Sequence, residues 1–224
     1  MISEVHNIDC MEFMRGLPDK FFDLAVVDPE YGISVNHNIG RRKGQKSSNY
    51  KKAYWDKKSV DKIILDHVFR ISKNQIIWGA NHFISKMPYD SSCWLMWDKK
   101  FSDKVTFAQF ELAWTSFNTT CKKFDTHPAE LNRIHPTQKP IALYAWIFDN
   151  YAKPGDKIFD SHMGSQSSRI AAYDKGLDYW GCELDADYFK DGCNRFEQHR
   201  TKVEEVKRFG YAKTELEKIN KTLF

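Results

Sequence analysis

Two aspartates each close an apolar run, and each is followed by residues able to hold a ligand. The first stands in "DLAVVDPEYGI", residues 23–33, where Asp28 is succeeded by Pro29, Glu30, Tyr31 and Gly32. A carboxylate at a strand end accepts hydrogen bonds, proline and glycine turn the chain, and an aromatic ring offers a flat apolar face. Such a set makes a corner, or it holds an amine against a stacked ring. The second aspartate opens "DSHMGSQSS", residues 160–168, with a glycine turn at Gly164 and hydroxyls at Ser165, Ser167 and Ser168 before a helical pattern. A loop of that build lets a ligand approach free N–H groups at a helix start. Gln166 stands where G-x-G-x-x-G requires its second glycine, which weakens a dinucleotide reading. Further on, Glu183 in "GCELDADYF" ends another strand candidate at a place suited to ribose hydroxyls. Acid, glycine loop and second acid make a nucleoside-binding layout. The same residues also read as a helix cap at Asp160 and Ser161 and a solvated strand end at Glu183.

Between the two aspartates lies "HPTQKP", residues 135–140. Its two X-Pro steps predict a stiff, extended entry into a helix, with Pro140 near the first turn. The elements that must position all these groups alternate. Strand patterns fall at 22–27, 75–78, 93–97, 111–114, 157–159 and 179–182, and helical patterns at 10–17, 59–71, 139–151, 167–175 and 186–198. That alternation predicts an α/β fold with a mostly parallel central sheet and helices on both faces. Ligands in such sheets collect beyond the carboxyl ends of the strands, where both aspartates fall.

Residues 34–58 have no hydrophobic periodicity and predict a long mobile loop. From residue 36 onward it carries Arg41, Arg42, Lys43, Lys46, Lys51, Lys52, Lys57 and Lys58 against the single acid Asp56. The tail from about 200 to 224 predicts a surface helix or two, interrupted at Gly210. A length of 224 residues suits one domain spanning 1–224, and a net charge of +4 suits an anionic partner. The five cysteines are odd in number, scattered and never spaced C-x-x-C, so no disulfide framework, zinc cluster or other metal site is expected, and a reducing cytoplasm fits. No apolar run is long enough to span a bilayer and the first residues lack a leader pattern, so the expectation is a cytoplasmic protein without a membrane partner.

Taken together, "DPEY", "HPTQKP" and "FDSHMGSQSS" followed by "GCELDADYF" resemble the amino-methyltransferases of DNA that use S-adenosylmethionine, in the motif order known as the β class. The similarity runs from "NIDCMEFMRGLPDKFFDLAVVDPEYGI" to about residue 196. It implies a Rossmann-like S-adenosylmethionine-dependent methyltransferase fold. Carried over by position, it makes Asp28 the acceptor for the target amine, with Pro29 and Glu30 supplying backbone around it and Tyr31 stacking on a flipped base. Asp160, Gly164, Ser165 and Ser168 would hold the methionine part of the cofactor, with Gln138 and Lys139 near its carboxylate and His135 and Asp185 in the same set. Glu183 would take the ribose hydroxyls, and Asp9 would lie near the adenine ring. Arg41, Arg42, Lys43, Lys46, Lys51 and Lys52 would meet DNA phosphates.

The chemistry asked of these residues is consistent. An exocyclic amine is a poor nucleophile because its lone pair is delocalised into the ring, and hydrogen bonds accepted from its protons favour the geometry that frees it. The target atom is unreachable inside a duplex, so the base must be extruded. Methylation at carbon 5 of cytosine would need a cysteine nucleophile, in relatives normally preceded by proline, and no cysteine here follows a proline. The expected activity is site-specific DNA methylation, adenine N6 ahead of cytosine N4, with a catalytically silent regulator and an RNA methyltransferase as the alternatives. Two departures from the family pattern motivate the silent alternative. Glu30 replaces a second proline, and Ser161-His162 and Gln166 replace a Pro-Phe pair and a second glycine, the arrangement resembling phage-type members. Only a short recognition segment, about 115–135, is available by count, so a homodimer that widens the DNA footprint and a restriction endonuclease partner are both compatible with the chain.

Overall fold

The computed structural model describes residues 1–34, 54–102, 108–128 and 133–209. Along them run β1 (Ser3–His6), α1 (Cys10–Arg15), β2 (Phe22–Val27), α2 (Lys62–Ile71), β3 (Ser72–Trp78), β4 (Trp94–Asp98), β5 (Phe110–Thr115), β6 (Lys122–Asp125), α3 (Ile141–Tyr151), β7 (Lys157–Asp160), α4 (Ser167–Asp174), β8 (Asp178–Cys182) and α5 (Ala186–Phe209). The strands form one eight-stranded sheet in the order β1-β8-β7-β2-β3-β5-β4-β6. Pairing is parallel except where β5 lies antiparallel to β3 and to β4.

Every residue of β2 but Asp23 is buried, as expected of a central strand covered on both faces. Leu24 and Val26 join Ile158 of β7 in a core closed by Leu143, Tyr144 and Ile147 of α3 and Ile170 of α4. Ala25 and Val27 join Phe159 in a second core on the other face, closed by Met14 of α1 and Leu65 and Val68 of α2. The order of strands reverses between β7 and β2, because the chain leaves β2 toward β3 on one side and leaves β7 toward β8 on the other. A crevice at such a reversal is where open α/β sheets bind ligands, and Asp28 and Asp160 flank it.

The structure departs from the expected elements where long-range contacts decide. β1 and β6 have four residues each and partly exposed side chains, so hydrophobicity does not announce them; β1 is held by its pairing to β8 and β6 by its pairing to β4. The pattern predicted α2 from residue 59, yet Ser59 bridges to Tyr31 and the Val60 N–H donates to the Glu30 carbonyl, so the helix begins at Lys62. α3 begins at Ile141 rather than residue 139, because a residue before proline is driven out of the helical region. α5 runs unbroken to Phe209, with Val203 and Val206 buried, which merges the first part of the expected tail with the preceding helix. Most of the basic loop and the tail from residue 210 lie outside the described residues. No described helix is long and apolar enough to cross a membrane.

Candidate active site

The turn after β2 is held in shape by one acid. Asp56 Oδ1 accepts the N–H of Tyr31 at 3.0 Å and of Gly32 at 2.9 Å, and Asp56 itself is buried. Within the turn, Asp28 Oδ1 accepts both the Tyr31 hydroxyl at 2.7 Å and the Lys139 ammonium at 2.6 Å. No described residue donates to the other oxygen, Oδ2. Lys139 reaches Asp28 because the Lys-Pro step keeps residue 139 extended, and it is also 3.0 Å from Glu111 Oε2 on β5. Glu111 in turn pairs with Lys99 at 2.5 Å. The result is an alternating chain of charges, Asp28, Lys139, Glu111 and Lys99, with the Tyr31 hydroxyl bridging its first members.

The electrostatics of that chain follow from mutual pairing in a sheltered place. Burial opposes ionisation of Glu111, but Lys139 and Lys99 outweigh it and hold its pKa down to about 2. Burial likewise disfavours the charged form of Lys139, yet the carboxylates of Asp28 and Glu111 overcome this and raise its pKa. Burial and the charges of Asp28 and Glu111 push the Tyr31 hydroxyl well above its ordinary range, so it stays a hydrogen-bond donor. The Tyr31 ring stacks on His82 with centroids 5.2 Å apart and lies against Gly79, where an added Cβ would collide with the ring. Only glycine leaves room for the ring in this position.

The loop after β7 is ordered by carboxylates of its own. Asp160 accepts the Ser168 hydroxyl at 2.6 Å and the His162 N–H at 3.0 Å, and Ser168 also contacts the Tyr179 hydroxyl at 2.9 Å. Burial drives the Asp160 pKa up to about 6. Glu183, at the end of β8, accepts the N–H of Gly164 at 2.8 Å and of Asp185 at 2.9 Å, and burial raises its pKa despite those bonds. The His135 ring stands beside Gly164 and edge-on to Tyr188. Gln138 is buried, and its side-chain carbonyl accepts the Ile134 N–H. Ser165 and Ser167 are 3.2 Å apart at their hydroxyls, and Arg195 of α5 ties both into place.

Several sequence expectations meet a different local arrangement. Lys139, assigned by resemblance to the cofactor's carboxylate, turns its ammonium to Asp28 and Glu111. Asp9 is exposed and caps α1 through the Met11 N–H at 2.7 Å, although β1 does deliver it to the same sheet edge as Glu183. Asp185 caps α5 through the N–H groups of Asp187 and Tyr188. The Gln166 side chain does not enter the glycine loop. It is fully buried under α5, where Nε2 donates to the Phe189 carbonyl at 3.3 Å and Oε1 accepts from Arg169 at 2.9 Å. Gly192 makes this possible, since a Cβ there would fall 2.7 Å from Gln166 Cγ. Glu111, Lys99, Asp56, Gly79 and His82 are site residues that the sequence does not single out; of these, only Asp56, the lone acid in a basic run, carries a signal. Arg41, Arg42, Lys43, Lys46, Lys51 and Lys52 lie outside the described residues.

The mostly parallel sheet with helices on both faces and two acid-ended strands at its reversal is an S-adenosylmethionine-dependent methyltransferase fold by its likeness to solved structures. The M1.HpyAVI–SAM complex superposes with a TM-score of 0.54 at 19% identity, covering 87% of this chain and 100% of that one. TTHA0409, a putative DNA modification methylase from Thermus thermophilus, gives 0.56 at 15% identity over 88% and 95% of the two chains. The cytosine-N4-specific PvuII DNA methyltransferase gives 0.59 at 11% identity over 90% and 91%. Among curated proteins, the putative methylase YubD of Escherichia coli (strain K12) is 21% identical over 84% of this chain and 87% of its own length. The DNA adenine methyltransferase YhdJ of the same organism is 36% identical over 63 residues, 28% of this chain and 21% of its own. The DNA methylase family model, of the N6 and N4 type, matches residues 35–193, and the chain belongs to that family.

Proposed function

We propose that the protein transfers a methyl group from S-adenosylmethionine to the exocyclic amine of a base flipped out of DNA, with adenine N6 as the target. The observation that carries this reading is the state of Asp28: one oxygen is occupied by Tyr31 and Lys139, and the other has no described donor. A carboxylate anchored through Oδ1 leaves Oδ2 for a further donor, which suits an acceptor for an amine N–H. The residues around Asp160 suit the cofactor in their chemistry. Carboxylates at Asp160 and Glu183 match a sulfonium and a ribose diol, and the N–H groups at the start of α4 match a carboxylate. When bound, S-adenosylmethionine supplies a methyl group already activated on sulfur.

The roles of the chain's own residues follow. Asp28 accepts a hydrogen bond from the amine and localises its lone pair, then holds the proton the amine must lose. Tyr31 and Lys139 keep the Asp28 carboxylate from rotating, and Glu111 and Lys99 keep Lys139 in place. Tyr31 presents its ring to the base. Arg41, Arg42, Lys43, Lys46, Lys51 and Lys52 receive the DNA phosphates. Adenine is preferred because the DNA adenine methyltransferase YhdJ shares 36% of 63 residues with this chain.

The test is transfer of tritiated methyl from labelled cofactor into mixed-sequence DNA, followed by digestion to nucleosides. Wild type is expected to label N6-methyladenine, and Asp28→Ala to lose at least about 100-fold, the scale of removing one transition-state hydrogen-bond partner. Equal incorporation by both proteins overturns the role of Asp28; label in N4-methylcytosine moves the target; cofactor binding without turnover on any DNA or RNA supports a silent relative.

A further inference from the structure

We propose that Glu30 and His162 form a matched pair that couples the amine-holding turn after β2 to the cofactor loop after β7. The inference rests on the methyltransferase reading above and adds a positioning role that the reading does not contain. Glu30 Oε2 and His162 Nε2 are 3.6 Å apart, with side chains 29% and 19% exposed. At that degree of shelter an ion pair acts through a lower effective dielectric than one in open water.

Both partners are fixed to their own loops. The Glu30 carbonyl accepts the Val60 N–H at 3.0 Å, and the next residue is tied to Asp56. The His162 N–H donates to Asp160, and its Nδ1 lies 2.8 Å from the Ser161 hydroxyl. In the protonated ring that the ion pair uses, Nδ1–H donates to the Ser161 hydroxyl and Nε2–H faces Glu30. The side-chain contact therefore joins two loops that are separately rigid. It also answers a charge problem. Glu30 adds a carboxylate to a mouth that already has Asp28, Asp160 and Glu183, and His162 favours the ionised forms of both Asp160 and Glu183. Two departures from the family pattern, distant in sequence, thus meet in space and compensate each other.

Because His162 shares its loop with Asp160 and Gly164, loss of the pair is read in cofactor binding as well as in turnover. Calorimetric titration of S-adenosylhomocysteine into wild type, Glu30→Gln, His162→Asn and the double variant measures this without any methylation. Each single substitution is expected to weaken binding about fivefold, the lower range of coupling between linked sites, and the double to lose no more than either single. The exchanged variant, Glu30→His with His162→Glu, is expected to recover most of the affinity, which a purely structural role for either residue does not predict. Losses that multiply in the double variant, or singles that bind as wild type does, overturn the pair. A wild-type protein that binds no S-adenosylhomocysteine overturns the methyltransferase reading itself, and the pair with it. Should Glu30→Gln unfold at the assay temperature, Glu30→Ala takes its place in the same cycle, with the same outcomes.

Discussion

Asp160 is buried and Glu111 half-buried, yet their surroundings push the two carboxyls in opposite directions. Burial raises Asp160 to about 6, against the hydrogen bonds from Ser168 and the His162 N–H, and the charge of Asp28 adds to the rise. Between its ordinary value of 3.8 and 6 the folded protein binds more protons at this site than the unfolded chain does, so stability falls as pH rises through that window. Above it, ionised Asp160 is a standing cost. Asp160→Asn is expected to raise unfolding free energy at pH 7 by roughly 1–3 kcal/mol while weakening cofactor binding. Denaturant unfolding at pH 4 and pH 7 checks it; no gain at pH 7 relative to pH 4 contradicts it. Glu111 has the other sign. Its folded pKa of about 2 lies below the ordinary 4.5, so its contribution is full above 4.5 and disappears as pH falls through 2. Asp28, Asp160 and Glu183 were legible in the sequence because each ends a strand pattern beside turn residues. Glu111 was not, because nothing in "FELAWT" distinguishes a strand acid facing solvent from one facing Lys139.

At the scale of elements, α4 and α5 are fitted to each other through a side chain and a gap. Gln166 adopts a left-handed backbone conformation (φ 59°) and fills the space that Gly192 leaves open on α5. Gly192→Ala is expected to cost about 1–3 kcal/mol by overpacking against Gln166. The double variant Gln166→Gly with Gly192→Ala is expected to be more stable than Gly192→Ala alone, since the methyl then meets no side chain and residue 166 is relieved of left-handed strain. Urea unfolding of the four proteins measures this, and simple additivity refutes the fit. The sequence shows Gln166 as a missing glycine but cannot show that a glycine stands opposite. The same limit hid β1 and β6, whose existence depends on partner strands, and the start of α2, which gives up its expected first residues to brace the turn at Glu30 and Tyr31. The strands β2, β3, β7 and β8 were legible because burial on both faces leaves an apolar run, and β4 and β5 because each carries a shorter run of aromatic and aliphatic residues.

For the whole molecule, the net charge of +4 is modest beside the concentration of cations at Arg41, Arg42, Lys43, Lys46, Lys51 and Lys52. If these residues meet DNA phosphates, replacing all six with glutamine makes the fall of log K with log salt shallower by about 0.9 for each phosphate no longer neutralised. Anisotropy titrations of a labelled duplex between about 50 and 200 mM salt read the slope, and an unchanged slope assigns phosphate binding to other residues.

The adjacency of β7 and β2 also governs when the site can exist. Asp28 and Asp160 stand at the ends of neighbouring strands but more than half the chain apart in sequence, and β1 finds its partner only in β8. Closing such distant contacts is slow and comes late in folding. A chain stopped before β7 keeps the turn after β2 with its neighbours on β3 and β5 but lacks the cofactor-side loop at Asp160, and its first strand has no partner. Truncation before β7 removes both Asp160 and the partner of β1, so an N-terminal fragment is expected to lack methyl transfer even where it keeps the basic run at 41–52.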